Sequence, residues 1–244
     1  MDGEFYFKAS VYGQAKGNYE GSRSPSPYGC GEDSFFICRD QGKIYTVGIA
    51  DGVGGWKDYN YNPAIISRKL MMHANQNCSH TQHPRELMEL AYNKIKEDSE
   101  IKGGGTTCCI LTLEPSGTLK SANIGDSGYI IIRDHSIIAK SELGRTPGGS
   151  PHQLSIIPLA LQGVGIINTP LSDSELLEHQ ICPGDIIILA TDGLWDNIQN
   201  LNELLFLTTK YSIENLAHGV AKHALSYYIK PDDITVIALK VSRV

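Results

Sequence analysis

The sequence predicts an α+β fold of antiparallel hairpins and amphipathic helices, on three observations. Two apolar, β-branched runs, 44–50 and 186–191, have the composition and bounds of buried strands, and each ends in Asp-Gly. Tight turns at Gln41-Gly42 and Asp134-His135 join strand-like runs into hairpins. Pro63 and Pro84 each open an apolar stripe at helical spacing: Ile66, Leu70 and Ala74 in one, Leu87, Ala91 and Ile95 in the other.

Residues 5–11 alternate as a strand, and 13–31, rich in Gly, Ser and Pro, read as a surface loop. Glu32-Asp33 directly precedes the strand at 34–39. Asp51 directly follows its hairpin partner at 43–50, so both acidic groups fall at one sheet edge. The glycines at 52, 54 and 55 permit a sharp turn and a close approach of backbone to ligand. Gly103-Gly104-Gly105 ends the second helix. No Gly-Lys-Ser/Thr follows, so a turn into the next strand is preferred to a nucleotide loop. Strands at 106–113 and 118–124 flank the Pro115-Ser116-Gly117 turn and lead to the corner Gly125-Asp126-Ser127-Gly128, before the hairpin 129–133 and 136–140. The segment 141–169, with 153–161 its most ordered piece, reads equally as a lid and as a surface excursion. A short strand at 176–180 and a turn at Cys182-Pro183-Gly184-Asp185 lead into 186–191. Helices follow at 201–208 and 212–229, the latter with Ser212 as N-cap and a Leu216, Val220, Ala224 stripe. A terminal strand covers 234–239. No linker or repeat divides the chain, so residues 1–244 are expected to form one domain.

A net charge of −6 argues against a nucleic-acid or anionic-membrane partner. No apolar run approaches the roughly 18 residues a membrane helix needs. Six cysteines form no Cys-x-x-Cys pair and lie at no zinc-ligand spacing from His; reduced thiols are expected. Met1-Asp2-Gly3-Glu4 resembles no signal or transit segment. The expected setting is intracellular: cytoplasmic for the chain as written, mitochondrial or plastid if a transit segment is missing from it. A monomer is expected.

Carboxylates beside glycines recur at strand edges: Glu32-Asp33, Asp51, Asp126, Asp192 and Asp232-Asp233. Turn chemistry alone brings Asp and Gly together, so each by itself is a weak signal. Two carboxylates about 4 Å apart repel by roughly 4 kcal/mol at an effective dielectric near 20. Several together need protons or cations. Oxygen-only donors without His or Cys suit Mg²⁺ or Mn²⁺, and two such ions can share a bridging carboxylate, activate a water and neutralise a phosphoryl group.

Six motifs then carry a resemblance across nearly the whole chain. Glu32-Asp33, Asp51-Gly52-Val53-Gly54-Gly55, Gly105-Thr106-Thr107, Gly125-Asp126-Ser127, Ala190-Thr191-Asp192-Gly193-Leu194-Trp195-Asp196 and Pro231-Asp232-Asp233-Ile234-Thr235-Val236 stand in the order of the type-2C metal-dependent protein phosphatases. Val53 followed by Trp56 is most similar to the branch found in mitochondria and chloroplasts. The resemblance implies a four-layer αββα sandwich, two stacked antiparallel sheets flanked by helices. It implies hydrolysis of phosphoserine or phosphothreonine in a protein partner by a hydroxide bridging two Mn²⁺ or Mg²⁺ ions, with no phosphoenzyme. Asp51 would bridge the ions, the Gly52 carbonyl would bind one, and Asp192 and Asp232 would complete the first site. Asp51, Asp192 and Asp232 are thus the catalytic set. Asp126 would hold a third, weaker ion. Glu32 and Asp33 would hold metal-bound waters, and Asp196 would hydrogen-bond another.

The resemblance has departures. Asp233 replaces a usual Asn, which leaves the last ligand open between Asp232 and its neighbour. Val53 stands where some members carry a general-acid His. Tyr28 lies near the place of a phosphate-binding Arg, leaving that role unassigned; Arg23 and Arg145 are the candidate substitutes. His152, in the 141–169 segment, reads as a surface residue. These departures keep an alternative open: a catalytically silent module that retains the fold and binds a phosphoprotein. A receiver domain, about half this length with parallel strands, is disfavoured by the hairpins.

Overall fold

Strand pairing among the described residues is antiparallel throughout, both between sequence neighbours in hairpins and between strands far apart along the chain. The computed structural model describes residues 3–17, 21–23, 26, 30–227 and 229–244. In order these form β1 (Phe5–Gln14), β2 (Asp33–Asp40), β3 (Lys43–Asp51), α1 (Pro63–Asn77), α2 (Pro84–Glu97), β4 (Gly104–Thr106), β5 (Cys108–Leu113) and β6 (Thr118–Ile124). They continue as β7 (Gly128–Arg133), β8 (Ser136–Lys140), β9 (Leu154–Ile156), β10 (Glu175–Gln180), β11 (Ile186–Ala190), α3 (Asp192–Trp195), α4 (Asn202–Lys210), α5 (Ile213–Tyr227) and β12 (Ile234–Arg243).

The expected pair of stacked sheets is joined into one ten-stranded antiparallel sheet, ordered β10-β6-β5-β3-β1-β12-β11-β7-β8 with β2 also on β3. The halves meet at a single residue pair, Phe7 with Ile44. Strand twist makes such a corner accessible to a continuous sheet. One apolar cluster draws on both halves, including Val47, Ile49 and Leu111 from one and Ile131, Leu189 and Leu239 from the other. A second packs α1 and α2 on β5 and β6. A third packs α4 and α5 on β7, β11 and β12.

Local chemistry accounts for the helices. Asn62 caps α1 by accepting from the Ala64 amide at 3.1 Å, and Pro63 takes the first turn, where no amide donor is required. The predicted stripes of α1, α2 and α5 are buried.

Three expectations change. Gly104 and Gly105 are not a plain turn: they lie in β4 and pair with Ile156 and Ser155 of β9. Segment 141–169 accordingly carries a strand. Cys38 and Cys78 form a disulfide, against the expectation of reduced thiols throughout. The packing of α1 on β2 brings their Cα atoms to 6.3 Å, a proximity invisible at a sequence separation of 40. Cys30, Cys108, Cys109 and Cys182 are free thiols. Much of the 13–31 loop lies outside the described residues, although Gly13 bridges to Ser22.

Candidate active site

The β2–β3 register sets Asp33 directly opposite Asp51. Thr106 and Thr107 fix the Asp51 backbone. Its carbonyl accepts from Thr107 N at 2.8 Å and Thr106 Oγ1 at 2.9 Å, while its amide donates to Thr107 Oγ1 at 2.9 Å. Ser127 at the Asp126 corner hydrogen-bonds Thr107 Oγ1 at 2.8 Å, tying two acidic corners together. The Gly52 amide donates to the Glu32 carbonyl at 3.1 Å, and a Cβ on Gly52 would lie 2.4 Å from the Pro63 carbonyl oxygen. Glycine there lets α1 begin directly against the turn. Ser67 Oγ of α1 donates to the same Glu32 carbonyl at 2.6 Å.

Asp192 opens α3 at the end of β11. Gly193 lets this turn pass Asp233, whose carbonyl oxygen would be 2.0 Å from an added Cβ. The two C-terminal aspartates divide their work. Buried Asp233 accepts from the Lys16 amide at 2.6 Å and the Glu32 amide at 2.7 Å, anchoring the β1–β2 connection. Asp232 instead meets Lys16 Nζ at 3.2 Å and Lys230 Nζ at 3.3 Å. Asp33 is fully buried and accepts from Thr191 Oγ1 at 2.8 Å.

Burial pushes the carboxyls of Asp33 and Asp51 well above the usual range. The charge of Asp233 adds to the first, and those of Asp33, Asp192, Asp232 and Asp126 to the second. Burial also raises Asp126 and Asp192, against the opposing pull of Arg145 and Lys230 respectively. Burial acts to raise Asp196 too, but Lys230 and Arg145 outweigh it and hold that carboxyl low.

Basic side chains from separate loops enter the cluster. Arg145, in the segment between β8 and β9, donates through Nε to Asp126 at 2.7 Å and through Nη2 to both oxygens of Asp196 at 2.9 Å. Lys230 Nζ meets Asp192 at 2.6 Å and Asp196 at 2.9 Å. Lys16 reaches Glu32 at 3.0 Å, and Lys57 pairs with Glu32 from the other side.

The family model described as Stage II sporulation protein E (SpoIIE) matches residues 43–242. The chain is 30% identical to "Protein phosphatase 2C homolog 7, mitochondrial" of Saccharomyces cerevisiae, over all of this chain and 78% of that protein. It is 32% identical to "Protein phosphatase PTC7 homolog" of Homo sapiens, over 85% of this chain and 78% of that protein. The chain belongs to the type-2C protein phosphatase family.

Solved structures agree in fold. The photosystem II phosphatase PBCP superposes with a TM-score of 0.76 at 23% identity, covering 96% of this chain and 98% of that one. The catalytic domain of the serine/threonine protein phosphatase PstP, in complex with two manganese ions, gives 0.68 at 16% identity, covering 98% and 99%.

In this type-2C phosphatase the donor set suits a hard divalent cation. Its acids supply oxygen only, and buried Asp33 Oδ1, Asp126 Oδ1 and Asp192 Oδ1 have no hydrogen-bond partner among the described residues. Among the described residues no three acidic, His or Cys side chains already form a ligand cage; lysine and arginine heads stand between them.

Of the two substitute arginines, Arg145 reaches the acids, whereas Arg23 donates to Asn215 at 3.1 Å beside α5. Tyr28 lies outside the described residues. Val53 donates its amide to the Gly105 carbonyl at 2.9 Å, and His152 donates its amide to the Gly144 carbonyl at 2.9 Å. Sequence reasoning missed Lys16, Lys57 and Lys230. The one available signal was Lys230 standing immediately before Pro231-Asp232.

Proposed function

We propose that this chain is a Mn²⁺- or Mg²⁺-dependent protein serine/threonine phosphatase acting on phosphoserine and phosphothreonine, with its curled sheet and flanking helices read as one αββα catalytic domain. The observation that carries the reading is the meeting of Asp33, Asp51, Asp126, Asp192 and Asp232 from separate corners, with buried oxygens left unpartnered.

In this reading Asp51, the Gly52 carbonyl, Asp192 and Asp232 would hold two ions, and Asp126 would hold a third. When bound, the ions supply an activated water and positive charge against the phosphoryl group. The chain's own groups do the rest. Asp33, aimed by Thr191, and Glu32, fixed through its backbone by Gly52 and Ser67, accept hydrogen bonds from water and fix its orientation. Arg145 offers a planar fork matched to phosphate oxygens. Val53 offers no proton, so a bound water or another group would have to protonate the leaving alkoxide. The name of the yeast relative supports a mitochondrial setting, which we extend to this chain.

The ammonium groups seated among the acids favour a second reading, a silent phosphoprotein-binding module. Phosphate release from a phosphothreonine peptide, with Mn²⁺ titrated from zero, separates the two. Saturable release is expected, falling to background in Asp51→Asn and Asp192→Asn while both variants remain folded. Folded wild type that binds Mn²⁺ and releases nothing would leave the silent module standing. Near-wild-type turnover in either variant contradicts the two-ion assignment.

A further inference from the structure

We propose that Lys230 competes with the divalent cation for Asp192 and Asp232, and so sets the metal affinity of this site. The inference rests on the metal-dependent reading above and concerns a residue which that reading does not use.

The position of Lys230 is built rather than incidental. Buried Asn197, just beyond α3, brackets its backbone: Asn197 Oδ1 accepts from the amides of Ile229 and Lys230, each at 2.9 Å, and Nδ2 donates to the Lys230 carbonyl at 2.8 Å. Pro231 restricts the backbone on the other side. The side chain therefore starts from a fixed point between the two Asp-bearing corners. Its ammonium contacts Asp192 Oδ2 at 2.6 Å, Asp196 Oδ2 at 2.9 Å and Asp232 Oδ2 at 3.3 Å. The first and last of these carboxylates are assigned to the ions.

The ammonium holds Asp192 Oδ2 and Asp232 Oδ2, while Asp192 Oδ1 has no hydrogen-bond partner among the described residues, so an ion entering there meets a positive charge on the far oxygen of the same carboxylate. Without metal, Lys230 relieves part of the repulsion among the acids. The ion and the ammonium repel, so ion binding favours molecules in which Lys230 has swung away. The fraction of molecules with Lys230 displaced scales the apparent affinity, as for any site competent only part of the time. Because the ammonium is partly exposed, each contact is modest, so the combined effect is about three- to tenfold. The same charge that weakens metal binding supports the metal-free fold.

The test is calorimetric titration of Mn²⁺ into metal-stripped protein. Lys230→Met keeps most of the apolar stem and removes the charge. It is expected to bind Mn²⁺ about three- to tenfold more tightly than wild type and to melt at a lower temperature when stripped. Lys230→Arg, which retains the charge, is expected to stay near wild type. Equal or weaker Mn²⁺ binding by folded Lys230→Met overturns the competition and leaves the metal reading intact. No Mn²⁺ binding by wild type and variant alike overturns both. A measurement on wild type covers a variant that does not fold: acetylation of Lys230, read by mass spectrometry, should accelerate when Mn²⁺ displaces the amine. An unchanged or slower rate counts against the proposal.

Discussion

At the scale of single residues, the site depends on two missing side chains. Gly52 and Gly193 each follow an aspartate, and each would drive a Cβ into a neighbouring carbonyl, at 2.4 and 2.0 Å respectively. Gly193→Ala should cost about 1–3 kcal/mol, as overpacking does, read from the urea midpoint of the metal-free protein. An unchanged midpoint would show that the Asp233 backbone yields freely. Arg145→Lys keeps a charge and loses the fork. It should raise KM for a phosphopeptide roughly tenfold, and it gives up the two-sided contact by which Arg145 holds Asp126 and Asp196 together. Unchanged KM would remove Arg145 from phosphate binding. Asp51 and Asp192 were legible because Asp-Gly punctuates a buried run. The roles of Asp232 and Asp233 were not, because they depend on where the amides of Lys16 and Glu32, over 200 residues away, come to rest.

At the scale of elements, the edge strand β10 joins the sheet through β6 and adds a polar contact, His179 Nε2 with the Tyr129 hydroxyl at 2.8 Å. Burial holds the His179 imidazole below its ordinary value. The unfolded chain therefore binds this proton more readily than the folded one. The contribution is present above the unfolded value of about 6.5 and is lost as pH falls through the lowered native value. Urea midpoints across this range should fall more steeply for wild type than for His179→Gln; parallel curves would mean His179 titrates as it does in the unfolded chain. Proline-opened helices and the hairpins were readable because their signals are local. The β4–β9 pair was not. It joins two three-residue strands about fifty positions apart, too short for any periodicity to register, and Trp56 Nε1 donating to Gln153 Oε1 at 3.0 Å helps fix the pairing.

At the scale of the molecule, the two halves of the sheet pair as strands at one residue pair, so the shared apolar cluster and the acid-bearing corners hold them in register. The Cys38–Cys78 link closes a 40-residue span of the β2–α1 half. Reducing it, or replacing both cysteines with serine, should lower stability by about 2–4 kcal/mol on denaturant titration. Protein with six alkylatable thiols before reduction would instead restore the reduced state that composition suggested. Strand content was legible, whereas the single continuous sheet was not, since which strands adjoin is set by packing far along the chain. The β2–β3 hairpin places the facing pair Asp33 and Asp51 at one end and the Gln41-Gly42 tip at the other, roughly 25 Å away at the rise of an extended strand. Both tip residues have positive φ, and a Cβ on Gly42 would meet nothing within 4 Å. That tip is a natural handle: an affinity tag or fluorophore grafted there would leave the registration of the two acids untouched, and would let the molecule be immobilised with its chemistry facing away from the support.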